Sequence, residues 1–567
     1  MILLKKGKLT KILFSLFLAL GAFWAFSAKA DFVGQRVNFS IDPSYDNQGR
    51  SEAMAVMLAL SNKAYFYIDE DWWNALDQSK QVEAKKSLEY LAEEFDKKIY
   101  PTLTTAYGSE WRPGIDGDER ITILFHLLKE SAAGYFSTGN EYPKAQNSQS
   151  NEREMVYLNA NKIGNLLTRS YLAHEFTHLI TFFQKDKLRG MEEDIWLNEA
   201  RAEYASTLLG YDVVYDNSNL KERVRQFVSN TFNSLTEWQG KPYDYGVANI
   251  FIQYLADQYG PELLFQSFQS DKVGIPSLEE TMAKFGFSED FTTVFTNWAV
   301  AVFINDCSLG QRYCYLNPNL KDFRVVPLTN ILPLTGQSQL SSNQTTKAWA
   351  GNWYRFLGGK GEMTFEFTSQ AGANFQVAYV LESKDKEPTI GFLKLNSQGQ
   401  GKIEILDFGV GATTLNIIPL AIGKKAGFVQ PEPFISFSWQ VMIQEPGSSA
   451  EVSTLEIESL MARIAELQGQ IEKLKQQLIA LGQNPGFSCQ QFSSDLYYGI
   501  NSIERVKCLQ QFLKSKGESI YPEGIVSGNY LSLTTLAVKR YQALKGISQT
   551  GYFGPLTRTA ANADLGL

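Results

Sequence analysis

The chain has 567 residues, 44% of them hydrophobic, and 61 acidic against 53 basic side chains give a formal net charge of -8. An acidic chain with no basic run beyond its first residues is unsuited to a phosphate backbone, which excludes nucleic acid as a partner class. Domains run to roughly 100 to 200 residues, so a chain of this length is expected to hold three or four modules.

At the start, Lys5, Lys6, Lys8 and Lys11 precede an uncharged apolar run from Ile12 to Phe26, followed by Ala28 and Ala30. This pattern predicts a signal peptide over residues 1–30, because the apolar run is shorter than the roughly 20 residues that span a bilayer. The chain is therefore expected to be exported: extracellular, cell-wall-associated or periplasmic. Its four cysteines fall as two local pairs, Cys307 with Cys314 and Cys489 with Cys508, which predicts two disulfides in an oxidising compartment. Neither pair has the spacing of a zinc ribbon.

Residues 31–325 read as an α+β body. Apolar residues recur at helical spacing over 51–64, 81–100 and 165–185. Strands are predicted over 120–127 and 155–159, the latter either a core strand or an edge that pairs with an extended substrate. The turn holding Asp116, Asp118 and Glu119 lacks the alternating ligands of a calcium loop, so Ca2+ there is a minor expectation. His126 ends an apolar strand and reads as a packed side chain.

Only three histidines occur in the chain, and two of them, His174 and His178, lie in the segment HEFTH. Accident explains that poorly. On a helix, residues four apart share a face, so both imidazoles can reach one ion, while Glu175 flanks the site and can take a proton from an attacking water. A catalytic zinc requires a third protein ligand. No histidine follows His178, so a carboxylate must complete the set, and Glu199 and Glu203 stand one turn apart on the next predicted helix. Glu199 is assigned as the ligand and Glu203 as an acceptor that orients a histidine N–H.

HEFTH followed after twenty residues by Glu199 in WLNEARAEYAS resembles the gluzincin zinc peptidases, in particular their hyicolysin-type and collagenase-like branches. The likeness extends through DGDERITILF, MVYLNA and YDYGVANIFIQYLADQYG, over about residues 40 to 305. The resemblance implies a zinc-dependent endopeptidase in which Glu199 binds Zn2+ and Glu203 supports a ligand. It also implies a downstream tyrosine that stabilises the oxyanion, for which Tyr245 is chosen over Tyr243. The glycine usual after the ligand glutamate is Ala200 here.

Between residues 335 and 445, short β-type runs alternate with Gly, Asn and Ser, predicting a β-sandwich with a structural or binding role. Residues 450–483 carry a heptad pattern from Ile457 to Leu481, which predicts a coiled-coil or spacer helix and a homodimer. From 487 to 567 the order VKCLQQFL, AVKRYQ, GI and TGYFGPLT resembles the small helical peptidoglycan-binding-like domain, with exposed Tyr and Gln side chains expected to contact glycan or stem peptide. The expected fold class is thus multidomain: an α+β gluzincin-like peptidase, a β-sandwich, a coiled-coil helix and a small all-α module. Three functions compete: an endopeptidase acting on proteins, a peptidase of peptidoglycan cross-links, and an inactive surface adhesin or scaffold.

Overall fold

The structure is a computed structural model that describes residues 30–444 and 491–566, apart from 335, 429, 499, 501 and 523. It divides into two units, residues 1–448 and 449–567. The expected leader up to residue 29, the heptad helix at 450–483 and Cys489 lie outside the described residues. Cys307 and Cys314 are joined by a disulfide, with Cα atoms 5.0 Å apart.

The body of the first unit is built on a six-stranded sheet, β1 (Arg36–Ser40), β2 (Glu52–Leu60), β3 (Ala64–Asp69), β4 (Ile121–His126), β5 (Gly134–Phe136) and β6 (Met155–Asn159), in the order β1-β2-β3-β4-β6-β5. Two corrections follow. Residues 51–64, expected as a helix, are β2 and the turn into β3. Their Ala, Met and Leu content favours a helix, yet Ala53, Ala55, Met57 and Ala59 alternate into the core, and ladder pairing to β1 and β3 overrides propensity. β1 and β3 were also absent from the expectation. Of the two readings open for residues 155–159, the core strand is the one found: β6 lies between β4 and β5 and is buried along its whole length, as an interior strand paired in parallel with β4 should be. The free edge on that side is β5, antiparallel to β6.

Helices cover this sheet. α1 (Gln78–Glu94) starts at Asp77, whose carboxylate accepts from Lys80 N, and buries Ala84, Leu88, Leu91 and Ala92. α2 (Thr168–Thr181) carries HEFTH and runs on into a π-helical turn over Phe182–Lys187. α3 (Ile195–Leu208) packs on α2, and α4 (Asn219–Ser229), α5 (Pro242–Tyr259) and α6 (Phe291–Ile304) extend the same core. Where α2 leaves off, Lys185 is fully buried, its ammonium donating to the carbonyls of Ser267, Ser270 and Lys272. Beside it the Arg201–Glu193 ion pair is also buried, so α3 is tied to the end of α2 by charges that have no solvent to compete for them.

His126 is buried, with Nδ1 3.4 Å from Asp46 and Nε2 3.3 Å from the Tyr135 hydroxyl. Burial outweighs the Asp46 charge and pushes its pKa down to about 4. The Asp116 turn does not gather its carboxylates: Asp118 accepts from Tyr65, and Glu119 pairs with Arg112 at the surface.

The expected sandwich is one nine-stranded, nearly closed sheet that starts earlier than residue 335, at β7 (Leu328–Leu332). One arm is β12 (Lys386–Phe392), β11 (Asn374–Ser383), β14 (Ala412–Ile422), β9 (Tyr354–Gly358) and β7; the other is β13 (Gln400–Phe408), β10 (Gly361–Ser369), β15 (Ile435–Gln444) and β8 (Ser338–Thr346). A single bridge, Phe408 to Ala412, joins them. Phe356, Phe365, Phe367 and Val441 fill the space between. The other face of the β11, β14 and β9 arm belongs to the body: Trp349 packs edge-on against Phe291 and Phe295, and the Trp353 indole donates to Ala299 O at 2.9 Å. Body and β-rich region therefore share one hydrophobic core.

In the second unit, α7 (Ile503–Ser515), α8 (Ser532–Leu544) and α9 (Pro555–Asp564) close over Val506, Leu509, Phe512, Leu513, Val538 and Tyr541. The Gln510 amide accepts from Gly528 N and donates to Thr534; Gln542 repeats the device with Gly551 N and Thr557. Two glutamines expected at the surface are thus structural, because each caps the loop that leads into the next helix. Tyr497 and Tyr552 remain exposed and stack on one another.

Candidate metal and catalytic site

α2 and α3 bring three ligand atoms together. His174 Nε2 and His178 Nε2 are 3.0 Å apart, and Glu199 Oε2 lies 3.2 Å from the first and 3.5 Å from the second. Among the described residues this is the one group of three or more His, Cys, Asp or Glu whose ligand atoms converge, all within 4.8 Å. Glu199 Oε2 is buried and makes no hydrogen bond despite those neighbours. Two nitrogens facing each other and an orphaned carboxylate oxygen form a donor set that suits a borderline cation such as zinc.

The far side of each imidazole is occupied. His174 Nδ1 is 3.2 Å from Glu203 Oε1, and His178 Nδ1 is 3.1 Å from Asn198 Oδ1. An acceptor on Nδ1 fixes the tautomer that leaves Nε2 free to bind an ion. Glu203 is held in turn by Arg223 of α4, which reaches it through Nε at 2.6 Å and Nη2 at 2.7 Å, and by Asn219 at 2.8 Å. Burial pushes the Glu203 carboxyl up, but the Arg223 guanidinium and His174 outweigh it and hold it well below the usual range. Burial likewise opposes ionisation of Glu199, and His178 and His174 hold its pKa at about 2. Both carboxylates are therefore charged at neutral pH.

Glu175 is buried beside this cluster. Burial raises its carboxyl pKa, with His174 and His178 opposing. The edge strand passes close by: a Cβ on Gly134 would meet Glu175 Oε1 at 2.8 Å and Tyr157 O at 2.7 Å, so that position has room only for glycine. Tyr245, near the start of α5, lines the cleft, with its ring 6.4 Å from that of His174, whereas Tyr243 is not among the lining residues. Burial, then the Glu199 and Glu175 charges, raise the Tyr245 phenol far above its ordinary pKa, so it stays a proton donor. Arg223 sits over its ring at 5.0 Å and Trp238 packs edge-on at 4.8 Å.

The cleft is large, about 1520 Å³, and runs from Tyr45 and the β5 edge past the histidines to Trp238. The segment that carries Trp238 is fastened to the β-rich region. Leu235 N donates to Trp349 O at 2.8 Å, Thr236 Oγ1 to Glu432 at 3.0 Å and Trp238 N to Gln430 at 3.2 Å, and Lys347 pairs with buried Glu237. One wall of the cleft is thus anchored by a region that sequence patterning alone treats as separate.

Of the expected residues, His174, His178, Glu199, Glu175, Glu203 and Tyr245 all meet in this cleft. Asn198, Arg223, Asn219 and Gly134 were missed. Asn198 had a signal, its place beside Glu199; Arg223 had none, since its contact depends on how α4 packs.

Residues 502–561 match the family model described as "Putative peptidoglycan binding domain". No curated protein sequence matches the chain. Among solved structures, the chain is similar to the pre-peptidase C-terminal domain of a collagenase from Bacillus anthracis, at 8% identity over 20% of this chain and 96% of that one, with a TM-score of 0.14. It is also similar to the M60 catalytic domain with two CBM51 domains from Clostridium perfringens ZmpB, at 9% identity over 69% of this chain and 59% of that one, with a TM-score of 0.19. Scores this low carry no argument about this chain. Its C-terminal unit is a helical module similar to a peptidoglycan-binding domain, and no described helix is long and apolar enough to cross a membrane.

Proposed function

We propose that the chain is a zinc-dependent endopeptidase of the gluzincin type, exported and directed to the cell wall by its C-terminal unit. The observation that carries this reading is the convergence of His174 Nε2, His178 Nε2 and Glu199 Oε2 beside the buried carboxyl of Glu175. His174, His178 and Glu199 would hold the ion. Bound there, zinc supplies a Lewis acid and makes water a stronger acid. Glu175 accepts the proton of the attacking water and passes it toward the leaving amine. The Tyr245 phenol donates a hydrogen bond to the scissile carbonyl oxygen as negative charge gathers on it. Glu203 and Asn198 keep the two imidazoles in register, and Arg223 keeps Glu203 in place. The free edge of β5, rather than β6, is where an extended substrate would pair.

Protein is the preferred substrate class, since a cleft of about 1520 Å³ open along a strand edge accommodates an extended chain. The match at residues 502–561 favours a second reading, hydrolysis of peptidoglycan cross-links. Incubation of the zinc-loaded chain with casein and, separately, with cross-linked muropeptides distinguishes the two. Casein fragments with intact muropeptides are expected; the reverse would transfer the activity to the wall, and cleavage of neither would support an inactive adhesin.

A further inference from the structure

The free edge of β5 is already partly covered. Tyr135, the middle residue of β5, pairs with Tyr157 of β6 in the antiparallel register. Their rings stack with centroids 4.2 Å apart and planes within 5°. Tyr45 stacks on Tyr135 in turn, at 4.4 Å and 13°. Since Tyr157 covers one face of the Tyr135 ring, Tyr45 covers the other, on the side away from β6. Tyr45 belongs to no strand; it lies in the turn between β1 and β2. Its side chain is 39% exposed and lines the cleft together with Gly134 and Glu175.

The turn that carries Tyr45 is held from several directions. The Tyr135 hydroxyl accepts from Asp42 N at 3.2 Å, Lys129 N donates to Tyr45 O at 2.9 Å, and Asn47 N donates to Leu127 O at 3.0 Å. Asp46, fully buried, accepts from Arg50 Nη2 at 2.9 Å. Backbone and ring are therefore both fixed, and moving the ring aside forfeits an aromatic stack.

Neighbouring strands lie about 4.8 Å apart, and residues directly opposite each other send their side chains to the same face with Cβ atoms about 4.5–5.5 Å apart. A peptide added to the edge of β5 thus directs the side chain opposite Tyr135 to the face where Tyr157 and Tyr135 stack. The Tyr45 ring, one stacking distance beyond Tyr135, occupies that place. Main-chain pairing needs no side chain there. Glycine or alanine fits, whereas leucine or phenylalanine meets the ring.

We propose that Tyr45 is a specificity-determining residue that restricts the substrate residue opposite Tyr135 to glycine or alanine. The restriction rests on the peptidase reading of the cleft and narrows its substrate at one position. Gly134, the residue before Tyr135, lies against Glu175, so the restricted position is close to the cut bond.

The test takes a casein fragment that the zinc-loaded full chain cuts, synthesised as a series with glycine, alanine, leucine or phenylalanine at each position flanking the cut. At one position the leucine and phenylalanine peptides are expected to show kcat/KM at least about tenfold below the glycine and alanine peptides. Tyr45→Ala should bring all four within about threefold of each other there. Tyr45→Phe should keep the wild-type discrimination, because the ring and not the hydroxyl fills the place. Should Tyr45→Ala not fold, Tyr45→Trp gives the same answer, its larger ring being expected to reject alanine as well. Equal rates for all four residues at every position in the wild type would overturn the restriction, as would discrimination that survives unchanged in Tyr45→Ala or Tyr45→Trp. Unselective cleavage removes this inference alone; cleavage of no peptide removes the peptidase reading and the restriction with it.

Discussion

Glu175→Gln is expected to keep its zinc and its fold while losing turnover on casein by about two to four orders of magnitude, the usual worth of a positioned general base. Its side chain is buried next to Glu199 and against Gly134, and the amide fits the same space. What it lacks is the capacity to take a proton, so the loss should appear in kcat with KM little changed. Metal analysis and casein hydrolysis on one preparation check both halves. Normal turnover in this variant would remove Glu175 from the mechanism.

Glu199→Ala and Glu203→Ala should separate into two phenotypes, although the residues stand one helical turn apart and each carboxylate approaches His174. Glu199 offers an unpartnered oxygen to the space between the two Nε2 atoms, so its loss removes one of three ligands and should abolish stoichiometric zinc. Glu203 faces away, toward Arg223 and Nδ1 of His174. Its loss should weaken zinc binding about 10- to 100-fold, the range seen when an outer partner of a metal-bound histidine is removed. It also leaves the Arg223 guanidinium buried without its partner, so a fall in Tm accompanies it. Zinc affinities measured by competition with a chromophoric chelator decide the matter. Zinc retained in Glu199→Ala and lost in Glu203→Ala would exchange the two assignments.

The site was legible where its geometry is local. His174, Glu175 and His178 lie within two turns of one helix, and Glu199 and Glu203 follow from the same periodicity on the next, so helical spacing alone projects them to common faces. Arg223 was out of reach because its approach to Glu203 is set by the crossing of α3 and α4, which no spacing rule encodes. Gly134 was hidden for another reason: its role is the absence of a side chain beside Glu175. The sheet was read less well. β2 is made of good helix formers and becomes a strand through pairing with β1 and β3. β6 had the strong apolar signal of a strand, but nothing in five residues tells an interior position from an edge when the edge strand, β5, is itself three residues long. The β-rich region was recognised by its alternation, whereas its shared core with the body, through Trp349 and Trp353, lies in long-range contacts that patterning does not carry.

Metal content of the purified, zinc-equilibrated full chain, measured by mass spectrometry of the intact protein under non-denaturing conditions, tests the central claim most directly. One zinc per chain is predicted for the wild type, none for Glu199→Ala. A wild-type chain that binds no zinc, or that carries stoichiometric iron instead, would contradict the assignment of His174, His178 and Glu199 as a catalytic zinc site.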